Sequence, residues 1–191
     1  YGILLLALIP LVVYLPALRL GFVYFDDDIL ILRNFDKLTD LSNIAQFFRT
    51  DAFLNGQSPY FRPLQTVTFM IEALAGGRSP VIYHAVNILL HILTCFGLFG
   101  LLKRTGVRLE VAWAAALLFS IHPLAGHAVL WIPARGDLLL ALFAVWSFSW
   151  FLRYMEEGRK RMLTGHALAL AAALLSKESG ILLPFLMAGY F

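Results

Sequence analysis

The chain has 191 residues, 60% of them hydrophobic and only 14% charged, with a net charge of +3 and a mean hydropathy of +0.78. A water-soluble domain is nearer half apolar and a quarter charged, so the composition excludes one and marks an integral, multi-pass, all-α membrane protein. There is room for about five or six spans of roughly 20 residues each. The basic residues are scattered between apolar runs, which excludes a nucleic-acid-binding stripe. The one cysteine, Cys95, excludes an intramolecular disulfide and leaves the redox compartment open.

In chain order, the first apolar run predicts a span over residues 2–22, kinked at Pro10 and Pro16. The chain opens at Tyr1 without a methionine and closes at Phe191 inside an apolar run, so a fragment of a longer protein is expected. A cleaved signal peptide fits less well, because the run is too long and lacks a basic start and a small-residue cleavage site. Residues 24–79 turn polar and open with Asp26, Asp27 and Asp28. Within this segment, Leu41, Ile44, Ala45 and Phe48 recur at helical spacing behind a capping Asp40. A second helix is predicted from Pro63, stopped by Gly76-Gly77. Both read as amphipathic helices along the membrane surface, with two turns of an ordinary loop as the plainer alternative.

Further spans are predicted over 80–102, 111–121, 137–152, 162–175 and 180–191, the continuation of the 111–121 span, HPLAGHAVLWIP, being broken by Pro123 and Pro133. The short loops 103–110 and 153–161 hold seven Lys/Arg in 17 residues, whereas 122–137 and 176–179 hold only Arg135 and Lys177. The positive-inside rule makes the first pair cytoplasmic. The aspartates, His122, Arg135 and Lys177 then share the extracytoplasmic face.

Three adjacent carboxylates beside an apolar run act either as a stop signal or as a site. Crowding near low dielectric raises at least one pKa, which suits a general base or a divalent-cation ligand. Arg135 either pairs with Asp137 at a helix start or grips an anionic head group with its planar fork. Lys177 and Glu178, isolated in apolar sequence, are a salt bridge at a turn or functional charges. His84, Asn87 and His91 share a helical face, where an interhelical hydrogen-bonding stripe is commoner than a metal site. His166 takes the same plain reading. No phosphate loop, nucleophile elbow, zinc-protease signature or CxxC is present.

The ordered series FDDD with Asn34 and Asp36, YFRPL (60–64), YHAVNILLH (83–91), FSIHP (119–123), WIPARGDLL (131–139) and SKES (176–179) resembles the N-terminal membrane half of the GT-C glycosyltransferases. Its nearest branch is the transmembrane and tetratricopeptide-repeat O-mannosyltransferases and their bacterial relatives. The resemblance implies a polytopic enzyme that moves a sugar from a polyprenyl-phosphate donor to a hydroxyl of a protein or glycolipid. It implies a bacterial inner membrane, with the active face toward the periplasm or exterior. It implies Asp26 as general base with Asp27 beside it, Arg135 and Lys177 on the donor phosphate, and Arg62, His122, Glu178 and Asp28 around the pocket. Metal use differs within the superfamily, so a divalent cation stays open. One departure stands out: where relatives carry a pattern like HPxxxE, this chain reads HPLAGH, with His127 in the acid's place. The family's repeat domain and later spans lie outside these 191 residues. The alternative is therefore a catalytically idle GT-C-like scaffold in a larger membrane assembly. A transporter would need an inverted repeat and mid-membrane charges, and neither is found.

Overall fold

A computed structural model describes residues 2–190. Tyr1 and Phe191, the latter closing the expected 180–191 span, lie outside the described residues. Among these residues every regular element is a helix. Helix α1 (Gly2–Tyr14) carries Pro10 inside it and continues as a 3-10 turn, Leu15–Arg19, around Pro16. Two prolines tighten the run, which leaves the helix at Arg19, short of the expected residue 22.

A π-helical turn (Asp28–Leu32) then leads to α2 (Phe35–Leu38). The expected helix over 41–48 is two short pieces, a 3-10 turn Leu41–Asn43 and α3 (Ile44–Phe47). Asp40 caps the first piece by accepting the Ser42 N–H at 2.9 Å. Helix α4 (Pro63–Gly76) starts at a proline, where the missing N–H is not needed. It stops where Gly77 takes φ +63. Its inward residues Phe69, Met70 and Ala73 join Leu38, Phe47 and Tyr83 in one apolar cluster, so the polar segment forms a packed cap on the bundle.

The bundle continues with α5 (Pro80–Arg104), α6 (Leu109–Ile121) and α7 (Pro123–Leu130). A 3-10 turn at Ile132–Ala134 precedes α8 (Arg135–Glu157) and α9 (Lys160–Leu174), and α10 (Leu183–Ala188) follows another at Glu178–Leu182. Among the described residues, three helical stretches, Gly2–Arg19, Pro80–Arg104 and Ile132–Glu157, are long and apolar enough to cross a membrane. A fourth is added if α6 and α7, bent by 53° at His122-Pro123, make one span. Lys160–Leu174 and Glu178–Ala188 are helical but shorter than a crossing helix of about 20 residues.

Helices α5 and α8 run parallel. Asn87 meets Arg135 near their starts, and Arg104 bonds Glu156 near their ends. The loops 103–110 and 153–161 therefore gather at one end of the bundle. Gly2 belongs to that end too, its carbonyl accepting the Trp113 indole N–H at 2.9 Å. At the opposite end Arg62 bonds Glu178, Gln65 bonds the Pro133 carbonyl, and Lys177 bonds Asp137.

The stripe on α5 joins the helices. His91 Nε2 lies 2.9 Å from the Ser120 carbonyl, and Asn87 donates to the Val129 carbonyl at 3.2 Å. Arg135 sits at the centre with 0% exposure. Its five N–H groups all find acceptors: Nε on Asn87, Nη1 on Glu72 and on Thr68 (3.1 Å), and Nη2 on Glu72 (3.2 Å) and the Tyr83 carbonyl (2.9 Å). The guanidinium also lies 5.1 Å from the Phe69 ring centroid. A buried ion costs several kcal/mol unless it is paired and fully hydrogen-bonded, so α4, α5 and α8 are held in one register. The next residue, Gly136, has room for no side chain: a Cβ there would stand 2.9 Å from Gln65 Oε1 and 3.0 Å from the Ser176 carbonyl oxygen.

Unfolding of variants in detergent tests this core. Arg135→Met and Glu72→Leu are each expected to cost about 3–5 kcal/mol, and the double variant markedly less than their sum. Strict additivity would show that the two groups do not depend on each other. Gly136→Ala is expected to cost about 1–3 kcal/mol by overpacking. Gly126→Ala, whose added Cβ meets nothing within 4 Å, is the control.

Candidate functional site

The acidic run leaves the first helix through a strained turn. Phe25 has φ +96, a region non-glycine residues rarely adopt, and a π-helical turn follows directly. Both features concentrate at functional sites. The turn gives the three aspartates three different surroundings. Asp27 is 1% exposed, and its Oδ2 accepts the Val23 N–H at 2.6 Å while Oδ1 is buried without a partner. Burial pushes its carboxyl above the ordinary range; the Val23 hydrogen bond opposes the shift and the neighbouring Asp26 charge adds to it. Asp28 turns away to Arg33, 2.6 Å from its Nε. Asp26 lines a cavity.

That cavity, of about 160 Å³, is walled by Asp26, Tyr60, Arg62, Gln65, Phe53 and Pro133, with Leu30 and Ala52 completing it. Arg62 stacks over Tyr60 at 4.7 Å and bonds Glu178 with both Nε (3.1 and 3.2 Å) and Nη2 (2.9 Å). Burial pushes the Glu178 carboxyl up, but hydrogen bonds from Arg62 and the backbone outweigh it and hold it below its ordinary value. Beside this pair, Lys177 Nζ lies 2.5 Å from Asp137 Oδ1. Asp137 and His122 line a second cavity of about 320 Å³ whose other walls include Phe119, Ala125, Ala128 and Leu138. The His122 ring accepts the Leu124 N–H at 3.2 Å, capping α7.

Asp26, Arg62, Glu178, Lys177 and Asp137 therefore gather at one end of the bundle, with His122 on the adjoining cavity. Arg135 does not join them. It was expected on the donor phosphate, or paired with Asp137. Instead it is enclosed with every donor engaged, and Asp137 goes to Lys177. Glu72, its true partner, was not singled out, although it is the one charged residue between Pro63 and Gly77. Gln65 and Asp137 were also missed as site walls. The position of the departure, His127, is exposed on α7 with its ring 5.1 Å from that of Trp131. Among the described residues, no group of three or more His, Cys, Asp or Glu side chains is placed to hold a metal ion.

Comparison with known proteins supplies the family. Protein O-mannosyl-transferase Tmtc1 of Drosophila melanogaster is 34% identical over 177 residues, covering 89% of this chain and 20% of that protein. Protein O-mannosyl-transferase TMTC4 of Homo sapiens is 36% identical over 188 residues, covering 84% of this chain and 25% of the relative. Protein O-mannosyl-transferase Tmtc2 of Drosophila melanogaster is 34% identical over 186 residues, covering 89% and 19%. The chain thus spans a quarter or less of these curated relatives. No solved structure matches. The family described as dolichyl-phosphate-mannose-protein mannosyltransferase matches residues 66–191, and this membrane protein belongs to that family.

Proposed function

We propose that this chain forms the catalytic entrance of a glycosyltransferase that moves a sugar from a polyprenyl-phosphate donor to a hydroxyl of a protein acceptor at the extracytoplasmic face. The observation that carries the reading is the shared cavity of Asp26 and Arg62, which sets a carboxylate beside a guanidinium at the end of the bundle away from the basic loops. The family description and the O-mannosyl-transferase relatives support mannose as the sugar. The face follows from the loop charges; these relatives are animal proteins, and the resemblance to bacterial ones is the argument for an inner membrane.

In this reading Asp26 takes the proton from the acceptor hydroxyl as its oxygen bonds the anomeric carbon. The bond from that carbon to the phosphate oxygen breaks, and polyprenyl phosphate leaves as the anion. Arg62 and Lys177 hold that phosphate. Arg62 already grips a carboxylate with two nitrogens, the geometry that suits a phosphate. The Glu178 carboxyl is held below its ordinary value, so this grip is fully present above the ordinary value and is lost as pH falls through the lowered one. At neutral pH the donor must therefore displace Glu178. The apolar second cavity beside Asp137 receives the first part of the polyprenyl stem. A divalent cation would find Asp26 as its protein ligand and would draw further oxygens from phosphate and water. Asp27 positions the turn through its bond to Val23.

Besides His127 in the acid's place, the idle-scaffold reading is supported by the neutralisation of both site cations, by Glu178 and Asp137. Transfer of labelled sugar from polyprenyl phosphate in membranes containing the full-length protein separates the two. Asp26→Asn is expected to lose about 100- to 10,000-fold in rate. Asp27→Asn keeps an acceptor for Val23 and loses less, while Asp27→Leu loses activity and stability together. Full activity in both asparagine variants would sink this mechanism, and no transfer by the wild-type chain would favour the scaffold.

A further inference from the structure

At the end of the bundle remote from Asp26, α5 and α8 part to leave a groove of about 390 Å³. Its apolar walls include Phe96, Trp146 and Trp150, and its polar end carries Arg104 and Arg153. Two glycines on α5 shape it. A Cβ on Gly97 would stand 3.1 Å from the Trp146 indole nitrogen, so the tryptophan closes down on that turn. A Cβ on Gly100 would meet nothing within 4 Å, so the groove stays open there. Arg153 lies 5.0 Å over the Trp150 ring, and its Nε is buried without a hydrogen bond, the Glu157 carboxylate standing 3.5 Å away. Arg104 gives one nitrogen to Glu156. The two loops at this end bring seven basic residues against Glu110, Glu156 and Glu157.

We propose that this groove is a binding site for one anionic phospholipid. The headgroup phosphate sits on Arg153 and Arg104, and an acyl chain runs over Gly100 between Phe96 and Trp146. Charge complementarity selects the occupant: seven basic residues against three glutamates leave this end a surplus of positive charge, which calls for an anionic oxygen. A phosphodiester carries one, and an apolar helix packed in the same place does not. The tryptophans suit the boundary between acyl chain and headgroup. Nothing in this inference depends on the transfer reaction proposed above.

The test titrates full-length protein in mild detergent with phosphatidylglycerol carrying brominated acyl chains and reads the quenching of tryptophan fluorescence. Saturable quenching is expected, stronger than with brominated phosphatidylcholine. Arg104→Gln with Arg153→Gln is expected to weaken half-saturation about 20- to 30-fold, at roughly five-fold per basic side chain lost. Gly100→Leu, which leaves every charge in place, is expected to weaken it by filling the groove. Equal quenching by the two lipids, or unchanged half-saturation in both variants, overturns the proposal. A map showing another helix of the same protein in the groove does the same.

Discussion

A buried guanidinium holds this structure together. Arg135 opens α8 in a place where an unpaired charge would be prohibitive, so its partners must arrive together: Glu72 and Thr68 from α4, and Asn87 and the Tyr83 carbonyl from α5. Satisfying five donors with acceptors from two other helices leaves little freedom of rotation or slide. The consequences run along the next two residues. Gly136 brings α8 against Gln65 and the Ser176 backbone, and Asp137 reaches Lys177 at the surface. A structural ion pair inside the bundle thus sets where the charges of the candidate site stand.

The site itself is a balance of opposite charges kept near water. Two basic side chains, Arg62 and Lys177, rest on two carboxylates, Glu178 and Asp137. The pairs are partly exposed, so each contributes little to stability and is open to exchange for another anion. The aspartates divide their work by burial: Asp27 ties the strained turn to Val23, Asp28 goes to Arg33, and Asp26 is left toward the cavity. The opposite end carries surplus positive charge over an aromatic groove. The two ends are proposed to take different anions, a donor phosphate at one and a membrane phospholipid at the other.

Much of this was legible in the sequence wherever one strong physical signal acted alone. Apolar length marked the helices, loop charge separated the two ends, and Pro63 and Gly77 bounded α4. The resemblance carried by FDDD, YFRPL and SKES brought Asp26, Arg62 and Glu178 to one place. Arg135 is expected on the donor phosphate because an arginine at the extracytoplasmic start of a span reads as an exposed anion grip, and nothing local reveals that its counter-ion, Glu72, lies on another helix. Glu72 held the clue, as a lone acid in an apolar helix needs a buried partner. The different surroundings of three identical aspartates depend on the Phe25 backbone and the π-helical turn, which no residue pattern announces.

The most direct test is a map of the full-length protein with polyprenyl phosphate bound. The phosphate is predicted between Arg62 and Lys177, with Glu178 displaced from Arg62, Asp26 facing the same cavity and Arg135 still on Glu72. A phosphate bound elsewhere while the Arg62–Glu178 pair stays closed would contradict the account.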